Sequence, residues 1–173
     1  MDPFETDRLF VRQFSPDDAD DFFLFNSSAQ VMQYIRPVKT REESDAFLEE
    51  NFNLYLEGFP YGRMFVADKL TGAFMGTFSI LYLDGDADYH IGYALMPGFW
   101  GKGYASELVR FGSAIFFERT NHACLFAITQ PENKASETVL LKNKFSLTGD
   151  FILNDEKLNR FSLTRAIFNE VVF

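Results

Sequence analysis

The chain has 173 residues, a formal net charge of -9, 47% hydrophobic residues and 22 phenylalanines. Such a length suits a single domain that buries about two-thirds of its unfolded surface, and the aromatic load excludes a disordered chain. Net negative charge argues against nucleic-acid backbones and anionic membranes and favours a cationic partner, while the lack of a membrane-length apolar run or a basic-then-apolar leader predicts a cytoplasmic protein.

A first strand is expected from Arg8 to Gln13, where Leu9 and Val11 alternate with polar neighbours. Ser15 then caps a helix with Pro16 in its first turn, running through Phe22, Phe23 and Phe25 to about Ser28. Thr40, with Glu43 three residues on, makes a capping box for a second helix through Phe47, Leu48, Phe52 and Leu56 to Gly58. Arg63 to Asp68 reads as a strand, Lys69-Leu70-Thr71-Gly72 as a hairpin turn and Ala73 to Leu83 as the antiparallel partner. After a turn at Asp84-Gly85-Asp86, the strand Tyr89 to Met96 sets Tyr89, Ile91, Tyr93 and Leu95 on one face and His90, Gly92 and Ala94 on the other, until Pro97 stops it. Gly98 to Gly103 turns into a helix whose inward face carries Ala105, Leu108, Val109, Gly112, Ile115 and Phe116. The apolar run Ala123 to Thr129 predicts a strand buried on both faces, parallel to the Tyr89 strand through a right-handed crossover. Asn133 opens a short helix through Val139, Leu140 and Leu141, and a last hairpin spans Phe145 to Leu153 and Lys157 to Thr164.

Chemistry concentrates at the glycine turn. Gly101 and Gly103 let backbone NH groups converge where a helix dipole adds positive charge, which suits a phosphate or pyrophosphate, and Lys102 adds a full charge. A P-loop does not fit, because only two residues separate Gly98 from Gly101; a dinucleotide fingerprint fails at Ser106, where its third glycine belongs. Cys124 has no disulfide partner in the chain and reads as a small buried hydrophobe, and neither His90 nor His122 has a second ligand at metal spacing.

The run Leu95-Met96-Pro97-Gly98-Phe99-Trp100-Gly101-Lys102-Gly103-Tyr104-Ala105 resembles the acetyl-coenzyme A signature of the GNAT acetyltransferase superfamily, with Trp100 where the signature has Gln or Arg, and Trp100 to Glu107 is similar to the RimJ/RimL-type ribosomal-protein N-terminal acetyltransferases. Asn133-Lys134-Ala135-Ser136 and the helix ending at Phe145 resemble the family's second block; Lys144 replaces its glycine, so Asn143 is expected to take the left-handed helix end. The resemblance covers essentially the whole chain as one domain, residues 1–173. It implies a mixed α/β, α+β fold: a mostly antiparallel twisted sheet of about seven strands, one parallel pair splayed to admit acyl-CoA, and helices on both faces.

It also implies an acetyl-CoA-dependent N-acetyltransferase without a metal, acting by direct attack of a primary amine in a ternary complex. The diphosphate would lie on the NH groups from Trp100 through Gly101, Lys102, Gly103 and Tyr104 to Ala105, with Met96, Ser106, Asn133 and Lys142 also near the cofactor and the thioester carbonyl on the NH of Leu95. His90 is the candidate base. The family's thiolate-protonating tyrosine corresponds to Leu140, so Ser136 or a water held by Asn133 is the substitute. A peptide α-amine, neutral more often at pH 7 than a lysine, is the preferred acceptor, with Asp84, Asp86 and Asp88 as a cluster that could attract a cation. A small-molecule acetyltransferase for polyamines, amino acids or antibiotics and a non-catalytic acyl-CoA sensor stay open, as do monomer and homodimer.

Overall fold

Alternating burial along the strands builds one twisted sheet. The computed structural model describes residues 4–58, 62–83 and 88–170. Its strands are β1 (Phe4–Glu5), β2 (Leu9–Gln13), β3 (Arg63–Asp68), β4 (Phe74–Tyr82), β5 (Tyr89–Leu95), β6 (Cys124–Thr129), β7 (Ser146–Leu153) and β8 (Glu156–Thr164). They stand in the order β1-β2-β3-β4-β5-β6-β8-β7, and all described pairs are antiparallel except β5 with β6. Against the expected seven or so strands, the short β1 folds back on β2 and makes eight.

Two layers of helices follow from the period-2 pattern of β3. Phe65 and Ala67 pack with Phe14, with Phe22 of α1 (Ala19–Asn26) and with Leu48 of α3 (Arg41–Leu56). Met64 and Val66 face the larger core, which holds Leu108, Val109 and Phe116 of α4 (Tyr104–Arg119) and Leu140 of α5 (Lys134–Lys142). The capping box at Thr40 and Glu43 forms as expected. The first helical region is instead broken up: a 3-10 turn at Pro16–Asp18 precedes α1, and α2 (Ala29–Met32), capped by the Ser28 side chain, follows it. A closing helix, α6 (Arg165–Glu170), packs Phe168 on Phe117.

The strand β6 corrects a second expectation. Leu125, Ala127 and Thr129 are buried, whereas Cys124, Phe126 and Ile128 are half-covered. A strand buried on both faces was expected, but β6 borders an opening, and the Arg160 guanidinium, 4.0 Å from the Phe126 ring centre, covers part of its second face.

Candidate active site

The main chain of β5 is used on one side and open on the other. The Leu83 amide donates to the Asp88 carbonyl and the Met96 amide to the Met75 carbonyl, so in steps of two His90, Gly92 and Ala94 spend their backbone groups on β4. Ile91, Tyr93 and Leu95 therefore turn theirs toward β6. The two strands share a single register pair, His90 with Phe126, and then separate, although β6 stays paired with β8 along its whole length. The amide of Leu95 and both backbone groups of Tyr93 face the gap. The Leu95 carbonyl is taken by the Trp100 indole, which donates to it at 2.6 Å.

At the far end of β5 the glycine turn presents donors. Gly101 and Gly103 have φ of 71° and 84°, which only glycine adopts without strain, and Gly103 is the N-cap of α4 with no side chain to cap it. The first helical bond runs from the Glu107 amide to the Gly103 carbonyl, so the amides of Tyr104, Ala105 and Ser106 have no partner within the helix. A Cβ at Gly101 would meet open space. The Trp100 amide departs from the expected phosphate set: it donates to the Pro97 carbonyl. Lys102 is exposed and donates its Nζ to the Gly98 carbonyl at 2.8 Å.

An ion pair braces this turn. Arg8 donates from Nε to Glu107 at 2.7 Å and from Nη1 to the Lys102 carbonyl at 3.0 Å, and it stacks over Tyr104. Burial opposes ionisation of Glu107, but hydrogen bonds from Thr6 and Arg8 outweigh it and hold the carboxyl below its ordinary range. Neither Arg8 nor Glu107 stood out in the sequence, where they lie 99 residues apart.

Across the gap, Asn133 caps α5 by accepting from the Ser136 amide at 3.1 Å. The Tyr93 hydroxyl lies 3.0 Å from the Ser136 hydroxyl and within 3.2 Å of the Ser136 carbonyl, to which it donates. Burial raises the Tyr93 phenol above its usual value, and the contact with Ser136 offsets only part of that. Tyr93 is the site residue missed above: alternation put it on the core face, and the cue was that a tyrosine there needs a partner for its hydroxyl. Leu140 is a core residue, 1% exposed, and also lines the cavity. At the end of α5 the left-handed residue is Lys144, φ 68°, and not Asn143, whose buried amide instead donates to the Ser106 hydroxyl at 2.9 Å. Lys142 is exposed in the last turn.

A cavity of about 730 Å³ lies between the α2–α3 connection, the middle of β4 and β5, and the β6–α5 side; Leu95 and the glycine turn lie outside its lining. His90, Tyr93, Asn133 and Ser136 all line it. Burial, joined by the positive charge of Arg63, pushes the His90 imidazole down to about 4, and its contacts with the Leu81 and Tyr82 backbone recover only part of that shift. His90 is therefore neutral at pH 7. Met96 packs with Phe25, Val31 and Met32 and is not among the cavity's lining residues. Of the acidic cluster, Asp88 is paired with Arg160 at 2.8 Å, and Asp84 and Asp86 lie outside the described residues. Among the described residues no acidic, histidine and cysteine cluster could hold a metal, and no helix is long and apolar enough to cross a membrane.

Residues 8–146 match the acetyltransferase (GNAT) domain family. The uncharacterized N-acetyltransferase YnaD of Bacillus subtilis is 31% identical over 138 residues, 79% of this chain and 78% of its own. Among solved structures, the spermidine N-acetyltransferase of Vibrio cholerae, in complex with CoA and spermine, superposes with a TM-score of 0.76 at 18% identity, covering 95% of this chain and 99% of its own. The Salmonella typhimurium acetyl transferase that modifies the N-terminal serine of ribosomal protein L7/L12 gives 0.76 at 19% identity, over 92% of this chain and 96% of its own.

Proposed function

The chain belongs to the GNAT acetyltransferase family, and from that premise we propose that it moves an acetyl group from acetyl-CoA to a primary amine, by preference an α-amine, within a ternary complex. The observation that carries this reading is the gap between β5 and β6, which leaves the Leu95 amide and both backbone groups of Tyr93 facing it without ladder partners. An extended arm bearing two amides can hydrogen-bond there as a further strand would. The free amides of Gly103 to Ser106, at a helix start braced by Arg8, suit its diphosphate. Acetyl-CoA supplies the activated thioester.

In the reaction the amine lone pair forms the C–N bond, the C–S bond breaks, the amine gives up a proton and the departing thiolate gains one. Leu95 donates its amide to the carbonyl oxygen as negative charge develops there, an effect of about 3 kcal/mol for one well-placed donor. His90 lines the cavity in its neutral form and is placed to accept the amine's proton directly or through water, although burial and Arg63 make it a weak base. Tyr93, with a phenol kept protonated by burial, is the donor to the thiolate, and Ser136 orients it. Asn133 holds the start of α5 in position for that contact.

The test is thiol release from acetyl-CoA with a panel of amines and peptides. Release should depend on the amine, and Tyr93→Phe should slow turnover by roughly 10²-fold; acetyl-CoA should change the emission of Trp100, the chain's one tryptophan, beside the glycine turn, to the same extent in both proteins. Saturable binding with no release for any acceptor would favour a sensor domain over a transferase.

A further inference from the structure

Two arginines line the same cavity, as does the exposed Glu156, and among the described residues neither arginine forms an ion pair. Arg63 leaves the end of β3 on the face that also carries Thr77 and Ser79 of β4 and Gly92 of β5. Among the described residues its guanidinium makes no ion pair and no side-chain hydrogen bond; the Phe47 ring lies 4.3 Å from it. Arg36, from the α2–α3 connection, sits 4.8 Å from that ring. One of its nitrogens donates to Asn26 at 2.6 Å, while its Nε is buried without a partner. Asn26 is fully buried and is itself held by the Phe22 carbonyl and Ser44, so it fixes Arg36 in place.

Lys39 Nζ also lies 4.8 Å from the Phe47 ring, and like charges half-buried around one aromatic ring are costly unless something outside the chain completes them. Burial lowers both guanidiniums, Arg36 to about 10, and each remains charged at pH 7. Glu50 acts on Arg63 only at longer range. The chain as a whole carries -9, so this positive spot is set against the overall field and not a product of it. An arginine fork with unused donors matches a carboxylate in geometry as well as charge. Strand spacing puts Arg63 on the order of 10 Å from Gly92 across two ladders, and its charge is felt at His90. A carboxylate held there belongs to a molecule whose amine reaches the reacting end of the cavity.

We infer that the amine acceptor carries a carboxylate, and that Arg63 and Arg36 bind it on the α1–α3 side of the cavity. The inference rests on the transferase reading above and narrows it to α-amino compounds bearing an acid, either a free amino acid or a peptide headed by an acidic residue, and away from polyamines.

Matched acceptors test it: glutamate against glutaminamide, an Asp-headed peptide amide against its Asn-headed counterpart, and spermidine, all at fixed acetyl-CoA. In at least one pair the acidic member should show a kcat/KM about 10- to 100-fold higher, and the pair concerned separates the free amino acid from the peptide. Arg63→Gln, which removes a side chain that donates nothing to the described protein, should bring that ratio close to one and leave acetyl-CoA binding, read from Trp100 emission, unchanged. Calorimetry of N-acetylglutamate and the N-acetylated Asp-headed peptide amide with the CoA-loaded protein supplies a readout independent of turnover. Binding of either that is lost in Arg63→Gln, with no acceptor turned over, would uphold the anion site and sink the transferase. Turnover of spermidine or the neutral members as fast as the acidic ones would overturn the inference and keep the transferase, and so would a ratio that survives in Arg63→Gln. Absence of both binding and preference overturns it as well; the wild-type ratio decides alone if the variant does not fold.

Discussion

The imidazole of His90 shows how one residue carries two demands. Its place opposite Ile91 and Leu95 was legible from strand alternation, and it does line the cavity. Its protonation was not legible, because burial and the charge of Arg63 come from residues distant in the chain. Held near 4 in the folded protein against an ordinary value of about 6.5, it stays neutral while the unfolded chain takes up its proton. The stability this contributes is whole above about pH 6.5 and is lost as pH falls toward 4, by about 3 kcal/mol at most. Urea unfolding at pH 7.5 and 4.5 should show the wild type losing more stability than His90→Gln over that interval; equal losses would mean that the imidazole titrates normally. Tyr93 was hidden for the opposite reason, since its spacing fits the core and only its hydroxyl reaches across to Ser136.

Among the elements, caps and periodicity were the readable parts. The α3 box at Thr40 and Glu43, the limits of β3 and the start of α4 at Tyr104 agree with local residue chemistry. The separation of β5 from β6 could be expected only from the family resemblance, because it depends on which strand each edge pairs with after the crossover. What holds α4 against the sheet was half visible: Gly112 lies on its inward face, and a Cβ there would come within 2.3 Å of the buried Phe78 ring. Phe78 is 0% exposed and has little room to yield. Gly112→Ala should therefore destabilise by about 1–3 kcal/mol from overpacking, set against about 1 kcal/mol gained in helix propensity, and a chemical-denaturation midpoint above that of the wild type would contradict this packing.

Over the whole molecule, net charge and the charge lining the cavity differ in sign. A net of -9 favours a cationic partner, yet the cavity is lined by Arg36 and Arg63, and Asp88, the described member of the acidic cluster, is committed to Arg160. Net charge sums the surface, whereas a site is set by the few side chains that folding gathers from α2–α3, β3 and β5. The fold itself was legible because the glycine turn, the Asn133 helix and the strand order all agree with one family, to which the match over residues 8–146 assigns the chain.

The central claim is that the open edge of β5 and the start of α4 together hold acetyl-CoA. Amide hydrogen exchange, followed residue by residue with and without that ligand, reads both at once. Exchange should slow at Tyr93 and Leu95 and at Gly103 to Ser106, while His90 and Gly92, already bonded to β4, change little. Saturating ligand that protects neither Leu95 nor the α4 start would contradict the account.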